Sequence, residues 1–442
     1  MKTLWRAVAL VGLGLGGLGL GCIDFDDELD RFCEGNPVCQ DGGASSDGGS
    51  DGGGDGGSDG GGDGGSDGGD AGPNGGEDGG DGGPDGGDAG PDGGSTLESG
   101  WHERAPLNLM RSGHTATLLR NGTVLVVGGL TPDGITSTAE VYDPKTNSWI
   151  LLKNELAQPR MDHTATLLPN NQVLVVGGLV DGTTATGTAE LYDPTTQSWS
   201  PASGIPAAQR ASHAAVLLPS NKVLVTGGGN NPNGGLATSA VYTSDAGWSP
   251  SASMKAERNA LTLTVLGSVA IAVGGYDLNG RHRSAEVFDG VEWRLTATSV
   301  PGEGREGHTA TALSENELLI AGTYVTTTDA GVGNSAAIYN ATSDSWSTVA
   351  SMQQGRFRHA AARVSTGEVL VTGGYSAAYR AAHNSAELFD PKDRRWHPAK
   401  GDMAHPRVGH TCTEMPDGTV LVVGGEDPVG ETFLDSVELY VP

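Results

Sequence analysis

From residue 101 to residue 442, apolar and polar positions recur in a unit of 47 to 51 residues that is written seven times. The unit opens on Arg-x-x-His: "RSGH" (111–114), "RMDH" (160–163), "RASH" (210–213), "REGH" (305–308), "RFRH" (356–359) and "RVGH" (407–410). In "RNAL" (258–261), Leu261 stands in the histidine position. An apolar or alternating run follows, then a turn such as Asn121-Gly122 or Asp417-Gly418, then an apolar run closing on glycine, as in "TVLVVGG". A polar stretch of variable length leads on to Glu-x-Tyr/Phe-Asp and a tryptophan, as in "AEVYDPKTNSW" (139–149).

Short apolar runs bounded by turn residues predict four strands per unit and almost nothing helical. Asn-Gly and Asp-Gly mark a tight hairpin between the first two strands. The double glycine marks a close backbone approach or a positive φ at the end of the second. Tyr/Phe and Trp on the outer two strands can fill the wedge that widens between neighbouring sheets in a radial array. The pattern therefore predicts an all-β fold, a seven-bladed β-propeller.

The aromatic count predicts how the ring closes. After the N-terminal segment the tryptophans are Trp101, Trp149, Trp199, Trp248, Trp293, Trp346 and Trp396. Trp101 has no earlier strands of its own, and the last unit, ending "SVELYVP", has three strands and no tryptophan. Pairing "GWHERAP" with the C-terminal strands completes the seventh blade and removes the exposed edges.

These residues resemble kelch repeats, which combine a double glycine, an aromatic near Glu-x-Tyr-Asp-Pro and a tryptophan at a spacing of about 50 residues. The resemblance covers residues 101–442 and implies a kelch-type propeller like the central domain of galactose oxidase. Such oxidases use copper held by tyrosines and histidines, with one tyrosine crosslinked to cysteine. Here Cys412, the one cysteine of the propeller, aligns with Ala116 on an inner strand, so no copper or other cofactor is expected. Sialic-acid mutarotases also resemble kelch propellers and need acid/base groups in the central cleft, but nothing in the sequence isolates a catalytic carboxylate.

The repeated groups read as scaffold. His114, His163, His213, His308, His359 and His410 are spread round the ring by symmetry, whereas a metal needs three or four ligands converging at about 2 Å. The repeat arginine and the glutamate of Glu-x-Tyr/Phe (140, 190, 286, 387 and 438) can pair at one face of a blade. Ala240 and Ala337 replace that glutamate in two blades, which leaves Arg210 and Arg305 as candidates for a ligand.

The loops between the second and third strands vary most, and variable loops on a rigid scaffold are where binding usually lies. Those of blades four to six offer Tyr276, Arg281, His282, Arg283, Tyr324, Tyr375, Tyr379, Arg380 and His383. Aromatic and cationic groups on adjacent blades can recognise an acidic glycan or a peptide carboxylate by stacking and bidentate bonds.

The first hundred residues differ in kind. "MKTLWRAVALVGLGLGGLGLGC" joins Lys2 and Arg6 to an apolar stretch too short for a stable span and then to small residues, the form of an export signal. Its end resembles a bacterial lipobox, which implies lipidation of Cys22; Ile23 after it favours the outer membrane. Residues 23–95 form an Asp/Gly-rich spacer without the apolar area to offset the entropy of folding. Residues 23–100 hold 21 acidic groups against Arg31 alone, so most of the net charge of -28 belongs to this tether. With no basic stripe, nucleic acid is excluded as a partner. Cys33 and Cys39 flank "EGNPV" and could form a small disulfide. The domain reading is signal 1–22, spacer 23–95 and propeller 96–442. It gives a monomeric, exported, lipid-anchored, non-catalytic module for an envelope protein or glycan. A carbohydrate-active enzyme of mutarotase or oxidase type is the alternative.

Overall fold

The computed structural model describes residues 97–202, 209–230, 234–324, 333–376 and 381–442; Cys22, Cys33, Cys39, Tyr379 and Arg380 lie outside them. Seven antiparallel four-stranded sheets build the fold, and among the described residues there is no helix. In the first blade the strands run outward in chain order: Thr115–Leu118, Val124–Val127, Ala139–Asp143 and Ser148–Leu151. First strands of successive blades are neighbours all the way round, so they line the central axis.

The ring closes as the tryptophan count predicts. Gly100–Arg104 is the outermost strand of the last blade, antiparallel to Val437–Val441, with Trp101 opposite Tyr440. Each second strand, such as Val124–Val127, is packed on both faces by adjacent blades, which is why it reads as an unbroken apolar run. In every blade the third-strand aromatic packs on the tryptophan with ring centroids 5.0–5.1 Å apart, as in Tyr142–Trp149 and Phe288–Trp293. Pairs of this kind contribute about 0.5–1.5 kcal/mol beyond their burial.

Two further devices clamp blade to blade. The first glycine of each pair has φ near +60°, and a Cβ on Gly128 would press on the Arg160 carbonyl and the His163 ring of the next blade. The second glycine donates its N–H to that carbonyl, as Gly129 does to Arg160 O at 2.8 Å and Gly425 to Arg111 O at 2.8 Å. The repeat histidine reaches the opposite way. His163 Nε2 is 2.9 Å from Thr115 Oγ1 of the preceding blade, and His114 Nε2 is 3.1 Å from Thr411 Oγ1, across the ring closure. Burial and the neighbouring arginine pull His114 and His163 down to about 3, so both rings are neutral. The repeat histidines thus serve the scaffold, each spent on a contact between blades.

Candidate site at the channel mouth

Each arginine–glutamate pair expected from the repeat forms, and each is buried. Arg111–Glu140, Arg160–Glu190, Arg258–Glu286, Arg356–Glu387 and Arg407–Glu438 are joined at 2.6–3.1 Å. The same carboxylates accept N–H groups from the connection between blades, for example Gln353 N at 2.7 Å. The arginine also donates to the glycine carbonyl at the end of the second strand, 2.8 Å from Arg111 Nη1 to Gly128 O. Arg210 and Arg305, opposite Ala240 and Ala337, are as buried as the rest and are not presented at the surface.

The residue before each repeat histidine, and before Leu261 in its place, stands at the same end of the axis, and all seven are left-handed. Gly113, Gly307 and Gly409 have φ of 62–64°, and Asp162, Ser212, Ala260 and Arg358 have φ of 51–53°. Amide hydrogen bonds run round the mouth from Arg358 N to Gly307 O at 2.8 Å and Gly113 N to Gly409 O at 2.9 Å, then on to Ser212 N to Asp162 O and Ala260 N to Ser212 O at 3.0 Å. That chain of bonds imposes the conformation. Glycine adopts it without strain, whereas a residue with a Cβ costs about 1–2 kcal/mol. Four blades bear that cost and gain a side chain at the mouth.

A cavity of about 200 Å³ lies there, lined among others by Asp162, Asn259, Tyr276, Glu306, Phe357 and Arg358. Burial raises the Asp162 carboxyl, the Arg358 guanidinium opposes that rise, and no hydrogen-bond donor holds it down. Burial also raises the Glu306 carboxyl, and Arg281, whose Nε lies 3.0 Å from Glu306 Oε2, opposes that rise. Arg281 sits 4.5 Å over the Tyr324 ring, and Tyr324 meets Phe357 edge-on at 4.8 Å. Phe357 in turn meets Tyr375 at 5.6 Å. Asn259 donates to Tyr276 Oη at 3.0 Å, while its buried Oδ1 has no partner. The mouth thus offers acceptors, one half-exposed guanidinium and an aromatic wall.

Of the loop residues singled out by sequence, Tyr276 lines this cavity, while Arg281 and Tyr324 stand behind its lining, against Glu306 and Phe357. His282 and His383 fold back onto their own blades, donating to Glu257 O at 2.8 Å and Gly355 O at 3.2 Å. Burial draws His383 down to about 4. Arg283 is exposed on the loop. Asp162, Asn259, Glu306, Phe357 and Arg358 come instead from the variable positions inside Arg-x-x-His, which sequence reasoning passed over as scaffold. For Asp162 and Arg358 the signal lay in the residue before the histidine position, glycine in three blades and larger in four.

A kelch-repeat domain model of the KLHDC2/KLHL20/DRC7 type matches residues 162–374, and the Kelch motif matches 110–154 and 356–401. The chain belongs to the kelch-repeat propellers. No curated protein sequence matches it significantly. Among solved structures it resembles a fungal alcohol oxidase of the AA5 family in complex with copper, at 16% identity and a TM-score of 0.60, covering 78% of this chain and 76% of that one. At that identity the likeness is one of fold. Among the described residues there is no group of three or more His, Cys, Asp or Glu that could hold a metal. Cys412 lies beside Thr372 Oγ1 at 3.0 Å, its thiol pushed up to about 12 by burial.

Proposed function

We propose that this kelch propeller is an exported, lipid-anchored binding module of the cell envelope that takes a glycan or protein ligand at the channel mouth, without chemistry. One observation carries the reading. Asp162 and Arg358 are held left-handed at positions where glycine would cost nothing, and both line the cavity. Strain of this kind clusters at functional sites. The cavity is smaller than the roughly 300–1,000 Å³ usual for whole small-molecule ligands. It suits a single sugar ring or one side chain at the end of a longer partner. Phe357 and Tyr276 supply aromatic surface for stacking, while Asp162 and Asn259 Oδ1 accept hydrogen bonds from hydroxyl or amino groups. An Asp/Gly-rich spacer of the composition of residues 23–95 would let such a head search a volume around its anchor.

The second reading, a carbohydrate-active enzyme, is favoured by one feature. Asp162 and Glu306 are two carboxyl groups raised by burial at the centre of the ring, where they break its sevenfold pattern. Raised carboxyls are the raw material of acid/base catalysis.

The two readings separate in one experiment. Residues 96–442 are screened against oligosaccharides and envelope proteins, and each bound sugar is followed by NMR for anomeric exchange or oxidation. Binding with an unchanged sugar supports the module; turnover lost in Asp162→Asn and Glu306→Gln supports the enzyme. No binding to any glycan or protein tested, at millimolar ligand, would count against both. For the anchor, a Cys22→Ala protein that still fractionates with membranes would sink the lipidation reading.

A further inference from the structure

We propose that Arg305 holds a buried halide ion, in the place that the carboxylate fills in the arginine–glutamate pairs of five other blades. In those blades the Nη2 of the repeat arginine donates to Oε1 of glutamate. Arg305 faces Ala337, which is fully buried, and is itself 1% exposed. Its acceptors are Gly322 O at 2.8 Å, Ser335 O at 3.1 Å and Ser335 Oγ at 2.9 Å, all uncharged. Its Nε has no partner, and among the described residues no carboxylate pairs with it. A guanidinium does not deprotonate in proteins, and a buried charge without a counter-charge costs several kcal/mol. An anion removes that cost.

The local sequence selects one atom over a carboxylate. Among the described residues, six connections between blades carry a buried apolar residue four or five before the arginine: Leu107, Leu156, Met254, Met352, Met403 and, here, Val300. In the five paired blades the next residue donates its N–H to glutamate Oε2: Asn108, Ala157, Lys255, Gln353 and Ala404. After Val300 that residue is Pro301, which has no N–H. The donor for the second carboxylate oxygen has gone together with the carboxylate. The donors for the first remain, and the blade of Arg258 shows where they meet: Nε at 3.2 Å and Nη2 at 3.1 Å reach the same Oε1. A single spherical acceptor at that point satisfies the guanidinium edge, with Val300, Ile320 and Tyr339 in the apolar cluster of Ala337.

The test uses bromide. Crystals grown in sodium bromide should show an anomalous peak between Arg305 and Ala337, and none there in Ala337→Glu. In solution, replacing gluconate by chloride at constant ionic strength should raise Tm saturably for the wild type. That rise should shrink in Ala337→Glu and in Arg305→Met, the second variant guarding against a glutamate that fails to pack. Absence of the peak in wild-type crystals overturns the proposal. A peak without saturable stabilisation marks an adventitious ion only and overturns it too, as does an equal chloride response in wild type and Arg305→Met.

Discussion

Leu261, the one residue that interrupts the ring of repeat histidines, shares its apolar cluster with Ala214, the residue after His213 in the preceding blade. Threonine stands in the position of Ala214 where the next blade offers histidine: Thr115 with His163, Thr164 with His213, Thr262 with His308 and Thr309 with His359, each at 2.9 Å. Where Ala360 follows His359, His410 turns to Thr372 Oγ1 at 2.8 Å instead. Loss of the hydroxyl and loss of the imidazole are therefore matched across one boundary between blades. Leu261→His alone should destabilise by about 1–3 kcal/mol, because a buried imidazole would face the Ala214 methyl, and Thr226 Oγ1, the counterpart of Thr372, is already bonded to Ser239 Oγ at 2.7 Å. Adding Ala214→Thr should recover at least half of that loss in a thermal melt. Additive effects of the two changes would contradict the pairing.

The histidines also make the fold acid-sensitive. His114, His163 and His308 are held at about 3 by burial, against an ordinary 6.5 in the unfolded chain. Between those values the unfolded chain binds protons that the folded one refuses, so stability falls as pH drops from about 6.5 toward 3. Each such histidine contributes a slope of up to about 1.4 kcal/mol per pH unit. Denaturant titrations from pH 7.5 to 4.5 should show the slope, and it should be shallower in His163→Gln. Equal slopes would mean that His163 is not buried neutral.

Breaking a buried charge pair should cost more than removing it whole. Glu387→Ala strands Arg356, both being within a few per cent of full burial, and should cost about 3–5 kcal/mol. The double variant Arg356→Met with Glu387→Ala should be more stable than that single variant in urea denaturation. The reverse order would show that the guanidinium works through its carbonyl contacts and needs no counter-charge.

Closure by the first strand has a local signature. Trp101 packs on Tyr440 at 5.0 Å and donates Nε1–H to Gly401 O at 3.1 Å. Trp101→Ala should cost about 2–4 kcal/mol, less than a fully buried tryptophan. Hydrogen exchange should quicken in Val437–Val441 before Val124–Val127. Uniform loss of protection would contradict closure through this strand.

The fold was readable from sequence because every blade repeats the same physical needs: a buried second strand, an aromatic wedge, a glycine where backbones meet. Seven copies average away local noise, and the count of tryptophans disclosed the closure. The arginine–glutamate pairing was readable for the same reason. The mouth was harder, because Asp162, Glu306, Phe357 and Arg358 occupy positions that repetition makes look interchangeable, and their meaning lies in departing from it. His282 and His383 misled in the opposite way. They sit in variable loops, yet both precede the glutamate by four residues and bond the same kind of carbonyl, which makes them scaffold.

Glycine substitutions at the mouth test the central claim most directly, because they separate stability from function. If the left-handed Asp162 and Arg358 are kept for their side chains, then Asp162→Gly and Arg358→Gly relieve strain. Each should leave stability equal or raise it by about 0.5–1 kcal/mol. In the same proteins, titration calorimetry with the ligand found by the screen should show affinity reduced at least tenfold. Unchanged affinity in both variants, or loss of stability with binding intact, would contradict the assignment of the channel mouth as the site.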